Sequence, residues 1–127
     1  MGRLAEVHRR RFEEYYHNAL EYMGRGDFPK ASEFMWGAIT QTLKALAAIR
    51  GYRIITHKDF FEFMRLISKE LGDEELYKKF LLLNNLHRNF YEEYIDPRDF
   101  PIYYKEAELF LRRIWRIAKE IEELRKG

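Results

Sequence analysis

Apolar residues recur along most of the chain at alternating steps of three and four, the period of a helix buried on one side. One seam runs Leu76, Phe80, Leu83, His87, Phe90, Tyr94; a second runs Tyr103, Ala107, Phe110, Ile114, Ile117, Ile121, Leu124. Seams of this kind belong to helices packed nearly antiparallel in a bundle. Nearer the start, Leu4, Val7, Tyr15, Ala19 and Tyr22 fall on one side of a helix from about Leu4 to Met23. No segment alternates with the period of two that a half-buried strand requires, and no internal repeat competes.

Helix ends are marked by local chemistry. Gly24 or Gly26 stops the first helix, and Asp27 is a suitable N-cap for the second, with Pro29 in a first turn where a missing N–H costs nothing. That helix continues through Phe34, Met35, Ala38, Leu46 and Ile49 to Gly51, and its face of Gly37, Ala38, Ala45, Ala47 and Ala48 lets a neighbour approach closely. Arg53-Ile54-Ile55 reads as a loop or one extended turn. Thr56, with Asp59 in capping-box position, opens a third helix that ends at Gly72. Asp73 caps the fourth, where Glu74 and Glu75 complement the helix dipole. Pro97 and Pro101 flank the obvious loop, and Asp99 caps the last helix. The pattern predicts an all-α fold, an up-and-down bundle of four to five helices, forming a single domain over residues 1–127.

Composition narrows the function classes. The 127 residues suffice for one core rather than two. The absence of cysteine excludes disulfides, thiolate metal sites and a cysteine nucleophile. With Lys+Arg 23 against Asp+Glu 21, the net charge of +2 does not describe a strongly basic nucleic-acid scaffold and leaves only local patches. No apolar run approaches the roughly 18 residues of a membrane span, and the start lacks a signal-peptide core, so a cytoplasmic location without membrane contact is expected. A single glutamine, Gln41, and four asparagines among many charged residues match the bias of thermophile chains.

Four histidines, His8, His17, His57 and His87, show no metal-binding spacing, and no glycine-rich phosphate loop is present, so neither metal nor cofactor is expected. Two basic clusters, Arg9-Arg10-Arg11 with Arg3, and Arg112, Arg113, Arg116 and Lys119 among several glutamates, read as ion-paired surface. The segment Arg50 to Lys58 carries three cations and no acid, enough for weak anion binding. Asn84 to Tyr94 differs in kind. A helix otherwise rich in leucine and phenylalanine carries Asn84-Asn85, then His87-Arg88-Asn89, then an aromatic and acidic run. Asn84, Arg88 and Tyr91 share a face, Arg88 and Glu92 form an i,i+4 pair, and His87 sits on the apolar seam. Polar groups in such a place must find partners, either as a structural knot or as a pocket lining. Asn84, His87, Arg88, Asn89 and Tyr91 are the candidate ligand-binding residues.

The run Gly26 to Ala38, with its Gly-Asp-aromatic turn, Ala31-Ser32-Glu33 and Trp36-Gly37-Ala38, resembles the second helix of the HEPN superfamily. Together with Leu86-His87-Arg88-Asn89-Phe90-Tyr91-Glu92 it is similar in particular to the archaeal PaREP group, over about Ala19 to Ile117. The resemblance implies a four- or five-helix bundle that forms homodimers. Many such proteins are metal-independent ribonucleases, toxins or defence components encoded beside a nucleotidyltransferase, which would be the partner protein. Their motif is an arginine, a polar residue, and a histidine after four to six intervening positions. Arg88-Asn89 matches its first half, but Glu93, Tyr94 and Ile95 stand where the histidine belongs. Arg3 to His8, Arg11 to His17 and Arg50 to His57 have the spacing outside the matching region.

The gap has a chemical consequence. Metal-free RNA cleavage needs one group to take the 2′-OH proton and another to protonate the leaving oxygen; imidazole does both near neutrality, whereas arginine is no base there. The expected function is therefore a non-catalytic RNA- or nucleotide-binding or partner-regulating module. A metal-independent endoribonuclease using Arg88, His87, Asn89 and Tyr91 is the alternative, and a purely structural interaction protein is the third reading.

Overall fold

The computed structural model describes residues 2–126, and among them it contains five α-helices and no strand: α1 (Gly2–Gly24), α2 (Phe28–Arg50), α3 (His57–Leu71), α4 (Glu74–Glu92) and α5 (Phe100–Lys126). The caps explain the boundaries. The Asp27 carboxylate accepts the Lys30 N–H at 3.2 Å at the start of α2. Thr56 and Asp59 exchange side-chain and backbone hydrogen bonds in a complete capping box before α3, and Asp73 accepts the Leu76 N–H at 3.3 Å before α4. The bonds from the Thr56 and Ile55 N–H groups hold the Asp59 carboxyl below its ordinary range.

The bundle is organised around α2, which packs against each of the other four helices, while the main chain of α1 meets α2 alone. The small-residue face of α2 is used inside the chain. A Cβ at Gly37 would stand 3.3 Å from the Tyr15 ring of α1, and Ala38, Ala45 and Ala47 are buried. That face is therefore taken by α1 and is not available to a second copy. On the other sides of α2, Met35, Ile39, Leu43 and Leu46 join Phe63, Met64, Phe80, Leu83, Phe110 and Ile114 in one core. Side chains bridge α1 and α5: Phe12 lies 5.2 Å from Trp115 between ring centroids, and the Tyr16 and Tyr104 hydroxyls are 3.4 Å apart. Burial, reinforced by that contact, pushes the Tyr16 phenol well above its ordinary range.

Two seams depart from the sequence pattern. In α4 the buried line is Leu76, Phe80, Leu83, Leu86, Asn89. His87 is half-buried beside it, while Phe90 and Tyr94 are exposed. The helix ends at Glu92, where Glu93 adopts a left-handed conformation (φ 46°) and its N–H reaches the Asn89 carbonyl, so Tyr94 lies outside the helix. In α1 the expected Leu4 is exposed and Val7 only half-buried; Ala5, His8, Phe12 and Ala19 face inward instead.

Candidate functional site

α2 carries a single carboxylate, Glu33, one turn before Trp36. Because residues three and four apart share a helix face, both point toward the C-terminal half of α4. There the His87 Nδ1 lies 3.0 and 3.2 Å from the two Glu33 oxygens. The Trp36 indole stacks on the His87 ring at 6.0 Å between centroids, with planes 27° apart. One turn further along α4, Tyr91 meets the same imidazole edge-on at 5.4 Å.

The opening residue of α3 completes the cluster. The His57 ring stands 5.9 Å from that of His87 and 5.3 Å from Phe61, and it also faces Trp36 at 6.3 Å. Three helices thus bring two imidazoles, a carboxylate and three aromatic rings to one face. Its floor, Trp36, is buried, while His57 and Tyr91 are exposed. A carboxylate on one ring nitrogen fixes the tautomer and leaves the other nitrogen for a ligand. Such an arrangement can stack a planar group and can donate or accept a proton beside it.

The sequence of residues 7–111 matches the family model of the archaeal PaREP1/PaREP8 family. The chain belongs to that family. The matched PaREP1/PaREP8 segment contains every member of the α2–α3–α4 face, from Glu33 to Tyr91, and ends within α5. No curated protein and no solved structure matches the chain significantly.

The residues that the sequence nominates do not all meet in this PaREP1/PaREP8 protein. His87 and Tyr91 do. Arg88 turns away: its Nε donates to Glu92 at 2.6 Å, its guanidinium covers the Tyr94 ring at 4.1 Å, and the Glu92 bond raises its pKa further. Asn89 is closed to any ligand. It is 1% exposed, its amide donates to Ser32 Oγ at 2.9 Å, and its oxygen accepts the Ile95 N–H at 2.5 Å. Asn84 is half-buried, with its side-chain oxygen buried and unpartnered. Glu33, Trp36 and His57 are the members that sequence reasoning missed. The available signal was Glu33, the sole acid in α2. Among the described residues no cluster of His, Asp and Glu could hold a metal ion, and no helix is long and apolar enough to cross a membrane.

Proposed function

We propose that this protein is a HEPN-like module that binds RNA on the face formed by Glu33, Trp36, His57, His87 and Tyr91. The observation that carries the reading is the His87 imidazole, held by Glu33, between the buried Trp36 ring and the exposed Tyr91 ring. Proteins take hold of unpaired RNA by stacking bases on aromatic and histidine rings. Here Tyr91 and His57 offer exposed rings, and Arg88, which now faces Glu92 and Tyr94, would have to exchange Glu92 for a phosphate to take part. A free nucleotide would use the same rings, and a partner protein would be regulated through occupation of this face. The HEPN reading brings with it a homodimer and a nucleotidyltransferase-type partner, to be tested by light scattering and co-purification.

The experiment is fluorescence anisotropy with a single-stranded RNA. Tyr91→Ala and His57→Ala should each weaken binding about fivefold or more, since one stacked base is worth about 1–3 kcal/mol. Affinity unchanged in both variants would sink the reading.

The His57–His87 contact favours a second reading, metal-independent cleavage. The histidine missing downstream of Arg88 would be replaced in space by one from α3. His87, oriented by Glu33, would take the 2′-OH proton; the 2′-oxygen would attack phosphorus; the bond to the 5′-oxygen would break as His57 protonates it. The products are a 2′,3′-cyclic phosphate and a 5′-hydroxyl. Cleavage that persists in EDTA and is lost in both His57→Ala and His87→Ala would establish this reading over simple binding.

A further inference from the structure

The C-terminal end of α2 forms a second feature, lined by none of the residues of that face and independent of its proposed role. Gly51 adopts a left-handed conformation (φ 74°) and donates its N–H to the Ala47 and Ala48 carbonyls; the Tyr52 N–H then reaches Ala47 O at 2.8 Å. A glycine is needed for that turn, and it folds the following residues back along α2. Tyr52, Arg53 and Ile54 thereby line a cavity of about 240 Å³ together with Leu4 and His8 of α1 and Lys44, Ala47 and Ala48 of α2. The two alanines are what leave the space.

The charges around this cavity are one-sided. Its lining contains His8, Lys44 and Arg53 and no carboxylate. Neighbouring cations are matched elsewhere: Arg50 pairs with Glu70 at 2.5 Å, and Lys58 with Glu62 at 3.7 Å. Of the three cations between Arg50 and Lys58, only Arg53 has no ion-pair partner among the described residues, and Lys44 has none either. Lys44 instead places its ammonium 5.9 Å from the Phe60 ring. His8 is 9% exposed, and its Nδ1 hydrogen bonds to the Gln41 oxygen at 2.7 Å, which fixes the ring in the wall. Arg53 is exposed and Lys44 half-buried, and a dianion seated between their side chains would be attracted by both.

We propose that this cavity binds a phosphate group carrying two negative charges, with Arg53 and Lys44 as its charged contacts. A planar guanidinium suits two phosphate oxygens at once, and an ammonium supplies the point charge. The same chemistry could come from a free phosphate or small phosphomonoester, or from the 5′-terminal phosphate of an RNA strand. An internal phosphodiester carries one charge and would be held less well.

The test uses the full chain and two pairs of probes. Inorganic phosphate is compared with chloride at equal ionic strength by titration calorimetry. A short RNA bearing a 5′-phosphate is compared with the same RNA bearing a 5′-hydroxyl. A charge-assisted contact predicts a preference of about tenfold or more for the phosphate member of at least one pair. Preference in the first pair alone assigns a free ligand, and preference in the second assigns an RNA end. Arg53→Gln and Lys44→Gln, each confirmed folded by circular dichroism, should abolish it, whereas His87→Ala should leave it intact even if overall RNA affinity falls. No preference in either pair, or preference retained in both glutamine variants, would overturn the proposal.

Discussion

Ser32 and Glu33 are neighbours on α2, and both reach α4, yet they make opposite kinds of contact. Ser32 accepts a hydrogen bond from Asn89 in the interior, and both residues are buried. Glu33 meets His87 at the rim, where the two side chains remain 30% and 37% exposed. A step of about 100° around a helix separates the two positions. Inside, the partners are neutral, because an unpaired or unsatisfied charge away from water costs several kcal/mol. At the rim, water screens the contact, so an ionisable pair can sit there at little cost. His8 with Gln41 follows the inner rule: a buried imidazole facing a neutral amide. The inner contacts help fix how the helices pack, and the outer one stays accessible to a ligand.

The contrast can be broken by substitution. Asn89→Ala should have the largest effect, about 3 kcal/mol in urea denaturation, because it removes the partners of Ser32 and of the buried Ile95 N–H together. Gln41→Leu, which strands the His8 Nδ1–H, should cost about 2 kcal/mol. His87→Ala should cost below about 1 kcal/mol while removing the RNA binding proposed for the outer face. If His87→Ala proved as destabilising as Asn89→Ala, inner and outer contacts would have the same role and the distinction would fall.

Acid sharpens it further. Asp59 is held below its ordinary range by the Thr56 and Ile55 N–H groups, and Glu70 by Arg50. A depressed carboxylate pKa stabilises the fold above the unfolded value, near pH 4, and that contribution is lost as pH falls through the folded value. The urea midpoint should fall as the pH drops below about 4; Asp59→Asn, which removes the carboxylate itself, should make the decline shallower. The compositional bias adds one broader expectation, a melting temperature above about 80 °C by calorimetry.

The helix starts were legible because caps are local: Asp27, Thr56 with Asp59, and Asp73 announce themselves within three residues. The end of the α4 seam was not. A strict alternation of four and three averages 3.5 residues per turn, and a real helix drifts from it by about 20° per heptad. That drift calls for extra steps of four, whereas the buried line beyond Phe80 advances by threes through Leu83, Leu86 and Asn89; packing against the neighbouring helices, not the period, leaves His87 and Phe90 out of the core line. The site was half legible for a similar reason. His87 and Tyr91 lie in one polar run, but Glu33, Trp36 and His57 come from two other helices, and no spacing along the chain encodes that meeting.

Because the main chain of α1 rests on α2 alone, undocking α1 would leave the main-chain contacts among the other four helices in place, at the cost of the Phe12–Trp115 and Tyr16–Tyr104 contacts with α5. Lifting it would part His8 from Gln41 and remove Leu4 and His8 from the cavity at the end of α2, so that cavity exists only while α1 is docked. Any group seated there would bind the docked form and slow amide exchange that requires undocking of α1 by a factor of one plus the ratio of free ligand concentration to Kd. The exchange rates of one helix would then record, residue by residue, how full a cavity at its foot is.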